Sequence, residues 1–289
     1  MTIWMIALAV FVVFTLVIFI AAYHEANRVR ITRSEIVNRK AVGEIDILQI
    51  SDLHLYRSVN KKRLAAIKDN IDKTIAEKTP DLIFLTGDFL DHENGARHLR
   101  DILARLKATH GIYAVFGNHD YYVYNILHVM KPLFSWTDNR PADIVGLKQI
   151  LHDYGIKTLV DEKVTVEAAG RRLDIYGADY YTVKKKRPGS LDIRQSENLS
   201  ILLSHYPDAV LYYRNLADIV ISGHTHGGQF SFFGVPVITS SRIKFMRAKG
   251  LTKYGDTSLF ISMGIGSSRF FPFRFFADPE INRITIKGE

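Results

Sequence analysis

The sequence predicts an α/β fold of two stacked sheets flanked by helices, preceded by one membrane-crossing helix. Three observations carry this. Through the first half of the chain, short apolar runs of strand character alternate with helical periodicities and end, one after another, in polar clusters. The second half is richer in strands and turns and lacks regular crossover helices, which fits two sheets better than one doubly wound sheet. The first 23 residues carry no charged side chain.

Residues 3–22 are nearly continuous Ile, Leu, Val, Phe and Ala, about the length that spans a bilayer. Met1-Thr2-Ile3-Trp4 lacks a basic segment and Ala21-Ala22-Tyr23-His24 is a poor cleavage site, so residues 1–24 are expected as an uncleaved anchor rather than a signal peptide. Arg28, Arg30, Arg33, Arg39 and Lys40 follow the span and no basic residue precedes it. The positive-inside rule then places the rest of the chain on the cytoplasmic side of the inner membrane. Residues 25–43 read as a basic linker with a first edge strand, and 44–289 as one domain.

Residues 44–51 alternate and then run apolar, as a strand does, and end at Asp52-Leu53-His54. Leu64, Ile67, Ile71 and Ile75 recur at helical spacing up to Pro80. A second strand is expected at 81–87, ending at Asp88. Leu99, Ile102, Leu103 and Leu106 mark a second helix, and a strand at 112–116 delivers Gly117-Asn118-His119-Asp120. This βαβαβ order puts polar residues at strand C-termini, the edge at which open α/β sheets bind ligands. A third helix at 144–154 leads into a hairpin-rich region with strands at 157–161, 163–168 and 171–176. Strands at 199–204 and 217–222 then deliver His205 and Gly223-His224-Thr225-His226.

The 289 residues, 47% hydrophobic and 24% charged, suit one large globular domain with a membrane segment. There is no cysteine, so disulfides and thiolate metal sites are excluded. Any metal must rest on imidazole, carboxylate and amide groups, a set that suits Mn, Fe or Zn. The net charge of +8 favours anionic partners of several kinds. No nucleic-acid recognition module is visible, and specific nucleic-acid binding is not expected.

Two polar side chains leaving a buried strand together, as Asn118 and His119 do, are costly unless they are used. His224 and His226 lie on the same face of an extended segment, an arrangement that holds one metal or two neighbouring ones. Each cluster alone also reads as turn or surface-loop residues. Their joint occurrence after successive strands points to a metal-dependent phosphoesterase.

Ser51-Asp52-Leu53-His54, Gly87-Asp88, Gly117-Asn118-His119-Asp120, Ser204-His205 and Gly223-His224-Thr225-His226-Gly227-Gly228-Gln229 resemble the five signature blocks of the calcineurin-like metallophosphoesterases. The resemblance covers residue 44 to the C-terminus and implies a four-layer α/β/β/α sandwich with two divalent metal ions at the strand ends. It implies that Asp52, His54 and His226 hold the first ion, that Asn118, His205 and His224 hold the second, and that Asp88 bridges them. Mn is the expected metal, with Fe or Zn as alternatives. Two cations roughly 3.5–4 Å apart lower the pKa of a bridging water and stabilise charge in an in-line displacement. His119 is left over by this ligand set. It is placed to bind phosphate and protonate the leaving oxygen, with Asp120 as an orienting partner, or else to serve as a structural neighbour of the ligands.

The Gly-Gly-Gln after His226 and the N-terminal anchor resemble the membrane-associated bacterial branch of the family. That branch includes a UDP-2,3-diacylglucosamine pyrophosphatase of lipid A synthesis and broad-specificity phosphodiesterases. The resemblance implies hydrolysis of the diphosphate of UDP-2,3-diacylglucosamine to lipid monophosphate and UMP, the expected partners being the membrane and an anionic lipid-linked or nucleotide-linked phosphate substrate. The alternatives are a broad phosphodiesterase or phosphatase on soluble or envelope substrates, and a non-catalytic scaffold, against which the intact ligand set argues. Residues 121–136, aromatic and apolar, read as a cap or acyl-chain wall, or as core. Residues 269–276 combine five Phe with two Arg and read as a bilayer-interface segment, or as an ordinary loop. Lys184-Lys185-Lys186-Arg187 reads as a solvated loop, or as one that holds a diphosphate or faces anionic lipid.

Overall fold

The computed structural model describes residues 3–125, 139–185, 191–228, 231–232, 235–236, 241–243, 248–267, 269–270 and 272–288. Gln229, residues 126–136 of the aromatic stretch, Lys186, Arg187 and Phe271 lie outside the described residues.

The chain begins with α1 (Ile3–Glu25), 23 residues long and almost wholly apolar. Its side chains are exposed or half-exposed until Ala22, and by length and composition it can cross a bilayer. The first sheet is built from β1 (Arg30–Val37), β2 (Glu44–Ile50), β3 (Leu82–Thr86), β4 (Ile112–Val115), β5 (Lys157–Thr158) and the C-terminal β12 (Glu280–Lys287), in the order β1-β12-β2-β3-β4-β5. β2 to β5 are parallel. All five residues of β3 are buried, because both faces of a parallel strand are covered. The crossovers are α2 (Lys61–Glu77), α3 (Ala96–Leu103) and α4 (Ile144–Asp153). Asn60 starts α2 by accepting the backbone N–H groups of Lys62 and Arg63 on its side chain. The buried faces of these helices, among them Leu64, Ile67, Leu99, Ile102 and Leu147, cover Leu48, Ile50, Ile83 and Leu85 on the outer side of the sheet.

The second sheet contains β6 (Glu162–Ala168), β7 (Arg171–Ala178), β8 (Leu199–Ser204), β9 (Ile219–Ser222), β10 (Gly250–Tyr254) and β11 (Thr257–Ile261), in the order β10-β11-β9-β8-β7-β6. Ile45, Ile47, Phe84 and Val115 of the first sheet meet Ile175, Ile201, Leu203, Ile219 and Phe260 of the second in a shared core. On the far side, α5 (Tyr180–Lys184) and α6 (Val210–Tyr213) cover Leu202, Val220 and Leu259. Helix, sheet, sheet and helix follow one another in space, the four layers expected.

Two elements differ from the sequence reading. The strand expected at 157–161 shortens to β5 and adds in parallel to β4, because the chain turns at Asp161 (φ 54°) and crosses to the second sheet. β12 was hidden by its polar residues, yet it sits between β1 and β2. Arg283 on β12 is buried by pairing with Asp46, its Nε donating to Oδ1 at 2.9 Å, and by donating to the carbonyls of Thr74 and Lys78.

Phe84 is fully buried between the sheets. Phe84→Ala should lower the unfolding free energy by about 3–5 kcal/mol, read by denaturant unfolding of detergent-solubilised chain. Val145→Ala, at a position 75% exposed, should change it by less than about 0.5 kcal/mol.

Candidate metal centre

Every cluster read from the sequence leaves the C-terminal end of a strand: Asp52 and His54 follow β2, Asp88 follows β3, Asn118 and His119 follow β4, His205 follows β8, and His224 and His226 follow β9. Five of these residues have left-handed backbone: Asp52 (φ 53°), His54 (46°), Asp88 (55°), His224 (72°) and His226 (50°). Among the described residues only Asp161, Ala169, Asn215 and Phe276 are the other non-glycine cases. Such conformations cost energy and persist where the surroundings over-determine them. Here they fold each strand end back so that its side chain turns inward. Gly117 and Gly223 leave room for this, since a Cβ at either position would strike the Asp88 or Asp52 carboxylate.

The centre has two halves that meet at Asp88. Its Oδ2 lies 3.2 Å from His205 Nε2 and 3.5 Å from His54 Nε2. In one half, His54 Nε2 is 3.1 Å from His226 Nε2, which is 3.7 Å from Asp52 Oδ1. In the other, His205 Nε2 is 3.0 Å from His224 Nδ1. Asn118 is clasped by two tyrosines: the Tyr206 hydroxyl donates to its Oδ1 at 3.3 Å, and its Nδ2 donates to the Tyr124 hydroxyl at 3.1 Å. The Tyr206 ring also lies over His224, with centroids 3.9 Å apart.

This donor set fits divalent cations. Asp52, His54 and His226 bring one ligand atom each within 4.8 Å of one another, and so do Asp88, His205 and His224. Facing imidazole nitrogens only 3.0–3.1 Å apart need a proton or a metal between them. The ligands are hard or borderline nitrogen and oxygen donors, as Mn, Fe or Zn require.

Charge is balanced at short range. Burial opposes ionisation of Asp88, but the neighbouring His205, His119 and His54 hold its carboxyl well below the usual range. Burial raises the Asp52 carboxyl, with His205 opposing and Asp88 adding to the rise. Burial alone would lower both His54 and His205. Asp91, with Asp88 and Asp52, instead raises His54 to about 9, and Asp88 raises His205 to about 9. His226 is pushed well down by burial and by the charges of His54 and Arg274.

The partner of His119 is Asp91, not Asp120. His119 Nδ1 lies 2.8 Å from Asp91 Oδ1, which also lies 2.6 Å from His54 Nδ1. Asp120 closes a single helical turn, Asn118–Tyr121, that folds its carboxylate back over the turn's own start. There Oδ2 accepts the N–H groups of Gly117 and Asp88 and Oδ1 accepts that of Phe89, each at 2.8 Å. Asp120 thus ties the ends of β3 and β4 together, and burial with the nearby Asp88 charge raises it to about 7. Asp91 escaped the sequence reading, although a second carboxylate three residues after Asp88 was visible there. Arg274 escaped too. Fully buried, it places Nη2 2.9 Å from His226 Nδ1.

A family model of calcineurin-like phosphoesterases matches residues 45–228. Among curated proteins, the chain is 32% identical to the uncharacterized metallophosphoesterase YkuE of Bacillus subtilis, over 84% of this chain and 79% of that one. It is 28% identical to the UDP-2,3-diacylglucosamine pyrophosphatase LpxG of Chlamydia muridarum, over 90% of each chain. Among solved structures, the NAD nucleotidase NadN of Haemophilus influenzae shares the fold with a TM-score of 0.50 at 14% identity, covering 77% of this chain and 46% of that one. The chain belongs to the calcineurin-like phosphoesterases and is a metal-dependent hydrolase.

Proposed function

We propose that two divalent cations, Mn²⁺ in the first instance, bind at this centre, one on Asp52, His54 and His226, the other on Asn118, His205 and His224, with Asp88 between them. The position of Asp88 Oδ2 between His54 and His205 carries this reading. When bound, such a pair supplies an activated water and neutralises charge on the phosphoryl oxygens. The chain's own groups do the rest. Asp91 holds His119 at Nδ1, and the His119 side chain keeps 19% of its surface exposed, against 2% for His54 and none for His205. Its Nε2 is then the atom that hands a proton to the leaving oxygen. Asp120 keeps the two strand ends in place and takes no part in proton transfer.

The proposed substrate is UDP-2,3-diacylglucosamine, hydrolysed at its diphosphate to lipid monophosphate and UMP on the cytoplasmic face of the inner membrane. Likeness to LpxG along most of both chains supports the substrate. The apolar α1 and the basic residues that follow it support a single-pass anchor in that orientation. With Mn²⁺, detergent-solubilised chain should release UMP from this lipid faster than it cleaves a generic chromogenic phosphodiester. Cleavage of the chromogenic ester alone would replace the lipid A reading with a broad phosphodiesterase; hydrolysis of neither, with metal bound, would leave a scaffold.

Asp88→Ala should abolish turnover and reduce bound Mn²⁺ below two per chain, measured by elemental analysis. His119→Ala should keep both ions and lower kcat by about 10²–10⁴-fold. An Asp88→Ala variant with full activity would sink the two-metal assignment.

Metal uptake should also release protons. His54 and His205, raised to about 9, are protonated at pH 7 in the metal-free chain, and a metal binds only the neutral ring. Both folded values exceed the ordinary 6.5. Their contribution to metal-free stability is therefore complete below about pH 6.5 and lost as pH rises through about 9. Calorimetry of Mn²⁺ binding at pH 7 in buffers of different ionisation enthalpy should show net proton release, with affinity rising toward pH 9. Buffer-independent heats would contradict this.

A further inference from the structure

The end of α1 is built into the catalytic domain. Ala22 and Ala26 are fully buried. The backbone N–H of Arg274 donates to Ala22 O at 3.1 Å, and that of Ala277 donates to Glu25 Oε1 at 2.9 Å. Asn60 Nδ2 donates to the Tyr23 hydroxyl at 2.8 Å, and Arg63 Nε donates to Asn27 Oδ1 at 3.2 Å. The helix therefore cannot swing freely, and its last turn fixes the height of the loop at 272–277 relative to the span.

That height is apolar. The Phe273 ring lies 5.3 Å from Phe19 and 6.3 Å from Tyr23. Phe19 precedes Tyr23 by one helical turn, about 6 Å along the axis, so Phe273 reaches the level of the last apolar turn of α1. Phe276 stands beside Phe275 with centroids 4.5 Å apart, is 60% exposed, and has left-handed backbone at φ 52°. A bulky aromatic held outward in that conformation gains nothing in water, whereas aromatic rings are favoured at the membrane interface.

The residue next to Phe273 points the other way. Arg274 is fully buried, donates through Nε to Gly266 O at 3.0 Å and through Nη1 to Met263 O at 2.9 Å, and brings Nη2 to His226. Adjacent Cα atoms are about 3.8 Å apart. One residue step thus separates a side chain at acyl depth from one that touches a candidate metal ligand. The headgroup layer of a leaflet is itself only about 5–8 Å thick.

We propose that the loop at 272–277 is a second membrane contact of this chain, set in the bilayer interface beside α1. Through Arg274 it holds the metal centre at headgroup depth, where phosphates are taken while their lipid stays in the bilayer. The proposal rests on the reading of α1 as a membrane span and adds a second, interfacial element to it.

The absence of cysteine lets single cysteines be labelled uniquely. Nitroxides would be placed on Phe276→Cys, on Val12→Cys within α1, and on Val42→Cys, 44% exposed and two residues before the start of β2, the strand end opposite the centre. With full-length chain in phosphatidylcholine/phosphatidylglycerol vesicles, relaxation by oxygen and by a water-soluble nickel chelate reports depth. The expected result is a label at 276 shielded from nickel and relaxed by oxygen, a deeper label at 12, and a label at 42 open to nickel. A label at 276 as open to nickel as that at 42, with 12 buried in lipid, overturns the loop contact and leaves the anchor standing. A label at 12 open to nickel overturns both.

Discussion

The Asp88 carboxylate is the group around which the site is arranged. It is buried, and an ionised carboxylate in that position is tolerable only with cations around it. One oxygen faces His54 from the first sheet and His205 from the second; the other accepts the backbone N–H of His119 at 2.8 Å. Its own amide is taken by Asp120, and His205 is aimed at it by a contact from Nδ1 to Thr86 O at 2.8 Å. Both sheets therefore close on a single negative charge, and the apolar layer between them sets how closely their edges approach.

Strain and hydrogen bonding together hold this geometry. The left-handed residues at three strand ends need neighbours that leave them no alternative, and the structure supplies them: Asp52 N–H donates to Gly87 O and His54 N–H to Asp88 O, each at 3.0 Å, while His224 N–H donates to Asp52 Oδ1 at 3.0 Å. The loops thus brace one another across the two sheets. A centre assembled in this way has little freedom to relax, which suits ligands that must be in place before metal and substrate arrive.

Much of this was legible in the sequence. The strands that deliver the candidate ligands are short and largely apolar, with Gly beside β2, β3, β4 and β9, and the helices of the first sheet show 3.6-residue spacing, so pattern located them. The ligand candidates stood out as polar residues where an apolar run ends. Other features were hidden for physical reasons. β12 carries Asn282 and Arg283, whose burial depends on partners far away in sequence, so its pattern does not read as a central strand. Asp91 stands three residues after Asp88, but its contacts to His54 and His119, like that of Arg274 to His226, are tertiary, and no local period marks them. Asp120 is adjacent to His119 in sequence, but one helical turn points the two side chains in different directions, Asp120 to the backbone of Gly117, Asp88 and Phe89 and His119 to Asp91.

Parts that lie far apart in the sequence are joined in the fold. The apolar helix α1 at one end and a Phe-rich segment near the other meet in space, and Arg274 links their junction to His226. The last turn of α1 is then part of the frame of the site, and its loss would remove support from His226.

The central claim, a pair of metals sharing Asp88, is tested most directly by anomalous diffraction from crystals of the chain grown with Mn²⁺. Two peaks roughly 3.5–4 Å apart, with Asp88 between them and the Asp52 and His205 sides each holding one, are the predicted result. A single peak, or two that do not share Asp88, would contradict it.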